Sequence, residues 1–561
     1  MSDLSKYLWD KANLELYRDV LCNALSHLNL PIDALLCKEH DCHRHNAQLE
    51  MYYTDIVKCP QAVAAECVPS VKPGLQKFWW TPELDELKEQ CIDISTLWAS
   101  IGRPRSGSIN EERLRCKYRY KQAIKMAMQD NDRQFNDSLY DKLCKKDEVS
   151  FWKAWRKRFC ANRLKPTNML NGKTGAHNVL SEFTEYYKGI VQPHNAAIDV
   201  ALAQEVEQLM MASSTGKENG NSYVTVGEVE KCIGNLKRHK AAYLDNISSE
   251  HLIYGGPQLT VHMTLLFNSM IHHCFVPNDF CNGVILPLLK NKHGDASDVN
   301  MYRGITLSPV ISKLFESVLL CLYDEYLTSD SLQFGFKKNS SCIHALFTVK
   351  ESVRYFTKRG SNVYCTFLDA SKAFDKVLHN GIFKKLLDRK APVAFVRLLQ
   401  YWYGNLQCRV KWNNAVGETF AVLCGVRQGG VLSPMLFSLY VNDLIPELKR
   451  SGYGIHVGSL FIGCVLYADD IVLLSASCNW VFTRSDRRTD RSVRLVCPTG
   501  RMKRLHVPIV GPTGRSDPGY VQLSVRPVGQ TGQTDCSRTT LICQSHQCGL
   551  LADYNTAYAA A

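Results

Sequence analysis

The sequence lacks a long apolar run anywhere, including near its start. No apolar run approaches the ~20 residues that a helix needs to cross a bilayer, and residues 1–6 do not open a secretory signal peptide. Membrane and secreted proteins are therefore disfavoured. We predict an intracellular protein, in the cytoplasm and nucleus, without a membrane partner.

The cysteines lack the spacing of a disulfide framework. The chain contains 23 of them, an odd number at irregular intervals, so we expect reduced thiols. Cys37, Cys42, His43 and His45 are close enough together to suggest zinc, but no second, distant pair with C-x-x-C spacing accompanies them. Surface histidines and buried thiols are the alternative, and the sequence leaves a metal here unassigned.

Length and charge favour a large basic protein. With 561 residues the chain is too long for one hydrophobic core, so two to four domains are expected. Its 67 Lys and Arg exceed its 54 Asp and Glu, which gives a formal charge of +13. Such a charge suits a polyanionic partner, although many basic proteins bind no nucleic acid.

Residues 1–165 are predicted to form a mainly helical, basic region. Apolar residues recur at helical spacing from Leu84 to Leu97, and a second predicted helix, residues 111–128, carries six basic side chains. Residues 151–159 interleave aromatic and basic side chains, which could stack on single-stranded bases and neutralise phosphates. The alternative is an amphipathic helix with buried tryptophans and a solvated basic face. Residues 166–236 are predicted to be a connecting helix with loops.

An adjacent pair of acidic residues is the most informative local feature. Asp469 and Asp470 follow Tyr467-Ala468 and lie between two short apolar runs, residues 460–466 and 471–474. This pattern predicts a β-hairpin with two carboxylates at its tip. Because like charges repel, such a pair favours a divalent cation held by oxygen ligands.

Two further motifs precede the acidic pair. The apolar run from residue 363 ends in Asp369 and gives way to a helical pattern. Residues 425–434 form a glycine-rich turn that leads into an apolar helix, which Pro434 would begin. The order along the chain is therefore strand-Asp, Gln-Gly loop and Tyr-x-Asp-Asp.

This motif order resembles that of reverse transcriptase palms, and most closely the polymerases of non-LTR, LINE-type (jockey-like) retrotransposons. Residues 300–307 and 333–336 are similar to the fingers motifs of the same family. The resemblance covers residues 237–478 and implies an α+β right-hand fold with fingers and palm. Residues 1–165 resemble the linker that follows the endonuclease in these proteins.

The resemblance implies an RNA-directed DNA polymerase that joins a primer 3′-hydroxyl to a deoxynucleoside triphosphate. Two Mg²⁺ ions, or Mn²⁺ in their place, would be held by Asp369 and Asp469, with Asp470 as a second, weaker carboxylate. The implied partners are template RNA and primer or target DNA. No endonuclease is readable here, so that activity would come from another chain.

The same resemblance suggests how the substrate is bound. Phe374 would exclude a ribose 2′-hydroxyl, although a buried core phenylalanine is the alternative. Gln428 and Gly429 would face the template and the nascent base pair. Arg303 would pair with the triphosphate, aided by Lys290, which could equally be a solvated loop lysine.

The composition changes abruptly after Ser477. Residues 479–561 repeat short units around Pro-Thr-Gly-Arg, with 11 Lys and Arg against 5 Asp and Glu, and have no helix or strand periodicity. We predict a low-complexity, disordered tail of unrelated sequence, and a basic RNA-binding tail is the alternative. Since no thumb is readable, the chain as written is expected to extend primers poorly.

Two other functions remain open on the sequence alone. A group II intron-type or domesticated reverse transcriptase should carry an appended domain after the palm, and none is readable. A retroelement relic would bind nucleic acid without catalysis. The presence of all three aspartates favours an enzyme, whereas the unreadable thumb favours the relic.

Overall fold

A computed structural model describes residues 6–71, 79–159, 167–193, 195–213, 223–291, 294–370, 372–452, 454–476 and 523–525. Helices and sheets are both present, which confirms the α+β class. The predicted tail, residues 479–561, lies outside the described residues except for Leu523–Val525. No helix in the described ranges is long and apolar enough to cross a bilayer.

The helices, in chain order, are α1 (Leu14–Ser26), α2 (Ile32–Leu35), α3 (Asn46–Cys67), α4 (Pro82–Ser100), α5 (Ser108–Cys144), α6 (Glu148–Phe159), α7 (Ala176–Ile190), α8 (Ala196–Ser213), α9 (Val226–Gly234), α10 (Ser249–Ile253), α11 (Gly256–His272), α12 (Asn278–Cys281), α13 (Val310–Leu322), α14 (Cys342–Thr357), α15 (His379–Asp388), α16 (Val393–Gly404), α17 (Ser433–Val441) and α18 (Leu444–Ser451). Pro434 lies in the first turn of α17, as predicted, because a proline there has no backbone N–H to leave unpaired. The predicted helix over residues 111–128 is part of α5, which has 37 residues.

The strands, in chain order, are β1 (Lys6–Tyr7), β2 (Ser70–Val71), β3 (Met169–Leu170), β4 (Lys173–Thr174), β5 (Asn282–Leu289), β6 (Tyr302–Leu307), β7 (Tyr364–Ala370), β8 (Gln407–Trp412), β9 (Ala415–Ala421), β10 (His456–Val457), β11 (Leu460–Phe461), β12 (Cys464–Tyr467), β13 (Asp470–Ser475) and β14 (Leu523–Val525). Two of the sheets have four strands, in the orders β12-β13-β7-β14 and β6-β5-β8-β9. We call them the β7 sheet and the β5 sheet. All neighbouring strands are antiparallel except β5 and β8.

The chain divides into two compact units. The first comprises Met1–Ala12 and Val68–Pro166, and the second Asn13–Cys67 and Thr167–Ala561. Residues 13–67 thus group with the second unit and not with the remainder of the predicted region 1–165. The reason is that α1 and α3 pack against α11.

The first unit is built from helices with few buried side chains. The helix α5 packs against both α4 and α6. On α6, Trp152 and Trp155 are 49% and 38% exposed, so the alternative with buried tryptophans is wrong. Their rings and those of Phe151 and Phe159 form a row of neighbouring contacts, with Trp155 and Phe159 at 4.4 Å.

Candidate active site

The register of the β7 sheet brings the three predicted aspartates together. Strands β13 and β7 are antiparallel, with Asp470 directly opposite Asp369. Strands β12 and β13 form the predicted hairpin, which confirms that part of the sequence reading. Its last paired residues are Tyr467 and Asp470, so Ala468 and Asp469 make the turn.

The hairpin turn contains an unusual backbone conformation. Ala468 has a φ of 59°, whereas Asp469 is not among the residues with positive φ. These are the φ signs of a type II′ turn, in which glycine is usual at the first central position. Because Ala468 carries a Cβ and is only 4% exposed, surrounding contacts must hold it in the left-handed region.

Gln333 supplies those contacts, a role that the sequence did not reveal. Its Oε1 accepts hydrogen bonds from Ala468 N (3.1 Å) and Gly335 N (2.9 Å), and its Nε2 donates to Ala468 O (3.4 Å). The side chain is fully buried. A Cβ at Gly335 would lie 2.4 Å from Ala468 N, so glycine is required for this approach. The only sign of this role in the sequence is that Gln333 is a polar residue between the apolar residues Leu332 and Phe334.

Backbone hydrogen bonds extend the same contact. Phe334 N donates to Leu466 O (2.8 Å), and Leu466 N donates to Leu332 O (2.9 Å). Residues 332–335 therefore hold the strand that leads into the turn as well as the turn itself. This segment thus holds the backbone on both sides of the position that immediately precedes Asp469.

Burial and mutual repulsion disfavour the ionised carboxylates. Burial raises the pKa of Asp469 to about 6, the charges of Asp470 and Asp369 add to the shift, and Arg303 opposes it. Burial, together with Asp369, also raises the pKa of Asp470. A divalent cation would favour the ionised forms of both. Since all the donors are carboxylate oxygens, the three residues together could hold a divalent cation.

The two predicted basic residues, Arg303 and Lys290, lie on or directly after the paired strands β5 and β6. Arg303 on β6 pairs with Leu288 on β5. Lys290 follows β5, and its Nζ donates to Asn300 O at 2.8 Å. Partial burial and Arg303 lower the pKa of Lys290, while Asp375 and Asp369 oppose that shift. Arg303 is therefore close enough to Asp469 for electrostatic attraction between their charges, and Lys290 is close enough to Asp369 and Asp375.

Asp375 is a fourth carboxylate, which the sequence reasoning did not assign. Gln428 Nε2 donates to its Oδ1 at 2.9 Å. Burial raises the pKa of Asp375 to about 6, against the effect of Gln428 and Lys372. The Gln428 side chain is thus directed at Asp375, while its backbone O accepts from Thr306 N at 2.8 Å.

The Gln-Gly loop packs closely on β6. Gly429 has a φ of 120°, and a Cβ there would lie 2.8 Å from Thr306 O. A buried carboxylate holds both ends of the loop segment 427–432. Glu316 on α13 forms an ion pair with Arg427 (3.2 Å) and accepts a hydrogen bond from Leu432 N (2.8 Å). Whether the loop contacts the template stays a prediction.

Phe374 lies among aromatic rings and is partly buried. Its ring stacks on Phe437 of α17 at 4.4 Å with an interplanar angle of 10°. It meets Phe336 edge-on at 5.8 Å. These two contacts hold the Phe374 ring in place. They are compatible both with a residue that excludes a ribose 2′-hydroxyl and with a core residue.

Comparison with known proteins gives independent evidence. Residues 290–482 match the family described as reverse transcriptase (RNA-dependent DNA polymerase). The chain is 29% identical over 248 residues to the probable RNA-directed DNA polymerase from transposon X-element of Drosophila melanogaster, covering 43% of this chain and 27% of that protein. It is 26% identical over 354 residues to the RNA-directed DNA polymerase from mobile element jockey of Drosophila funebris, covering 61% and 37% respectively.

These relatives are considerably longer than the region they share with the chain. A second jockey polymerase, from Drosophila melanogaster, is 25% identical over 390 residues, which are 68% of this chain and 41% of the relative. The family match over residues 290–482 includes β7, the Gln-Gly loop and the β12–β13 hairpin. The chain therefore contains a region, residues 290–482, that matches the reverse transcriptase family, and it is similar in sequence to RNA-directed DNA polymerases of mobile elements.

Proposed function

We propose that the chain acts as an RNA-directed DNA polymerase that adds deoxynucleotides to a primer 3′-hydroxyl. The observation that supports this most directly is the register that sets Asp470 opposite Asp369, beside Asp469 in the turn. In this proposal the β7 sheet belongs to the palm and the β5 sheet to the fingers. Template RNA and primer or target DNA are the partners.

The acidic site has a defined part in the proposal. Asp369, Asp469 and Asp470 would hold two Mg²⁺ ions, or Mn²⁺, which when bound activate the primer hydroxyl and stabilise the leaving pyrophosphate. Arg303 and Lys290 would neutralise the triphosphate from the side of the β5 sheet. The contacts of Gln333 would keep the turn in place, so that the carboxylates need no reorganisation during the reaction.

The first unit offers a surface for single-stranded nucleic acid. On α6, Trp152, Trp155 and Phe159 are 49%, 38% and 55% exposed. The same helix carries Arg156 and Arg158, and exposed aromatics next to cations can stack on bases and neutralise phosphates. We propose this helix as a contact for template RNA or target DNA.

Primer extension on an RNA template tests the function. The full chain, at a concentration above that of a short DNA primer annealed to RNA, should add at least the first templated deoxynucleotide when Mg²⁺ or Mn²⁺ is supplied. Chelation of the metal should abolish the addition. Tight binding of the duplex with no addition under either metal would contradict the proposal and favour a non-catalytic relic.

Sugar selection provides a first substitution test. Phe374→Val should allow ribonucleotides to be added, because it removes the bulk that would clash with a 2′-hydroxyl. Such a clash is worth several kcal/mol, and each ~1.4 kcal/mol changes selectivity tenfold. The measurement is the ratio of deoxynucleotide to ribonucleotide addition.

Phe347→Val is the matched control for this substitution. It makes the same chemical change at an exposed position on α14, away from the Phe374 ring stack. We expect its selectivity ratio to equal that of the unchanged chain. An unchanged ratio in Phe374→Val would show that Phe374 is only a packing residue.

Residues 479–561 are expected to contribute non-specific binding. The segment has 11 Lys and Arg against 5 Asp and Glu, enough to attract phosphates without orienting a primer. Deletion of the segment should weaken RNA binding and flatten its dependence on salt, as measured by fluorescence anisotropy at several salt concentrations. Loss of nucleotide addition without loss of binding would instead assign the segment a role at the acidic site, where β14 pairs with β7 and Ser524 lies opposite Asp369.

A further inference from the structure

A second group of ligand-type side chains lies outside the acidic site. Cys37, Cys42, His45 and His273 each place one ligand atom within 4.8 Å of all the others. Tetrahedral zinc, with Zn–S of 2.3 Å and Zn–N of 2.0 Å, sets neighbouring ligand atoms roughly 3.3–3.8 Å apart. Cys42 Sγ and His45 Nδ1 are 3.7 Å apart. The cluster thus has nearly the dimensions of a zinc site.

Packing within the second unit brings these residues together. Residues 37–45 connect α2 to α3, and His273 directly follows α11. Asp41 N donates to His272 O at 3.1 Å, and Arg397 donates to Asp41 Oδ2 at 2.9 Å. The first contact holds the connecting segment against the end of α11, and the second joins it to α16, both independently of any metal.

The environment of His273 itself indicates a ligand. The ring is fully buried, and its two nitrogens each face a backbone carbonyl: Nε2 is 2.9 Å from Ala34 O and Nδ1 is 3.1 Å from Cys42 O. A neutral imidazole has one N–H and can donate to only one of them. A proton on Nε2 would leave the Nδ1 lone pair on the side of Cys42. Zinc-bound histidines commonly donate their other N–H to a carbonyl in this way.

His43, which the sequence pattern included, is not part of the cluster. Its Nε2 lies 3.8 Å from Asp41 Oδ1, and its ring stacks near Tyr401 with centroids 6.4 Å apart. His273 takes its place, although it is 231 residues downstream of Cys42. Spacing in the sequence could not have identified it.

We propose that Cys37, Cys42, His45 and His273 bind one structural zinc ion that joins the segment between α2 and α3 to the end of α11. Two thiolates and two neutral imidazoles balance the 2+ charge, so the closed site carries no net charge into the interior. Binding releases the thiol protons to solvent. Thiolate and imidazole donors select zinc over the Mg²⁺ that suits the aspartates.

Metal content gives the first test. The full chain, purified under reducing conditions without chelator, should contain about one zinc per molecule by mass spectrometry of the elements. Cys42→Ser and His273→Gln should lose it. His43→Gln and Cys22→Ser are the matched controls, since His43 lies outside the cluster and Cys22 is an exposed thiol, and both should keep it.

Cobalt provides a measurement that does not depend on whether a variant folds. The unchanged chain, stripped with a chelator, should bind one Co²⁺ with the visible absorption of a tetrahedral site and a thiolate charge-transfer band, and zinc should displace it. Asp469→Asn should leave both metal content and spectrum unchanged, which separates this site from the acidic one. Absence of zinc together with absence of the tetrahedral spectrum would overturn the proposal, as would retention of zinc in a folded His273→Gln.

Discussion

Asp469→Asn is expected to reduce nucleotide addition by about 10³-fold or more, while binding of the primer–template duplex stays nearly unchanged. The substitution keeps the shape of the side chain and removes the charge that would hold the metal ions, whose stabilisation of the transition state is worth several kcal/mol. Asp369→Asn should have the same effect, because Asp369 lies opposite Asp470 in the adjacent strand. Single-nucleotide addition and equilibrium duplex binding are the two measurements.

Asp388→Asn is a suitable control for both variants, since it makes the same chemical change at an exposed position at the end of α15. It should behave as the unchanged chain. Calorimetric titration with Mn²⁺ gives a readout besides activity, and Asp469→Asn should weaken that binding. Full nucleotide addition by Asp469→Asn would refute the assignment of the metal site.

Gln333→Ala is expected to lower the rate of nucleotide addition about 100-fold, although Gln333 is not expected to touch the substrate. Its loss leaves Ala468 N and O without their side-chain partners in a buried place, which costs about 1–3 kcal/mol per unpaired group. The strained turn would then be free to shift, and a displacement of about 1 Å can cost a factor of ~10² in rate. The rate should fall more than the apparent affinity for the nucleotide.

Two variants distinguish positioning from a general loss of structure. Gln333→Glu keeps an oxygen acceptor for the N–H groups of Ala468 and Gly335, so part of the lost rate should return. Gln407→Ala, at an exposed position on β8, should have no effect. If Gln333→Ala kept the full rate, or lost rate only in proportion to unfolded protein, the positioning role would be wrong.

Local patterns in the sequence were sufficient for the elements of the site. Short apolar runs on both sides of Asp469 and Asp470 predicted the β12–β13 hairpin, and Pro434 correctly marked the first turn of α17. The ordered motifs also led to the reverse transcriptase family that residues 290–482 match. Such inferences succeed because hairpins, helix starts and motif order depend on residues that are near one another in the chain.

Tertiary structure alone decided which distant groups meet. The contacts of Gln333 with Ala468 span 135 residues, the bond between Gln428 and Asp375 spans 53, and His273 reaches Cys42 across 231. Residues 13–67 likewise belong to the second unit only because α1 and α3 pack on α11. Periodicity and spacing carry no information on such pairs, since the packing of whole helices and strands sets which side chains come within hydrogen-bonding or metal-binding distance.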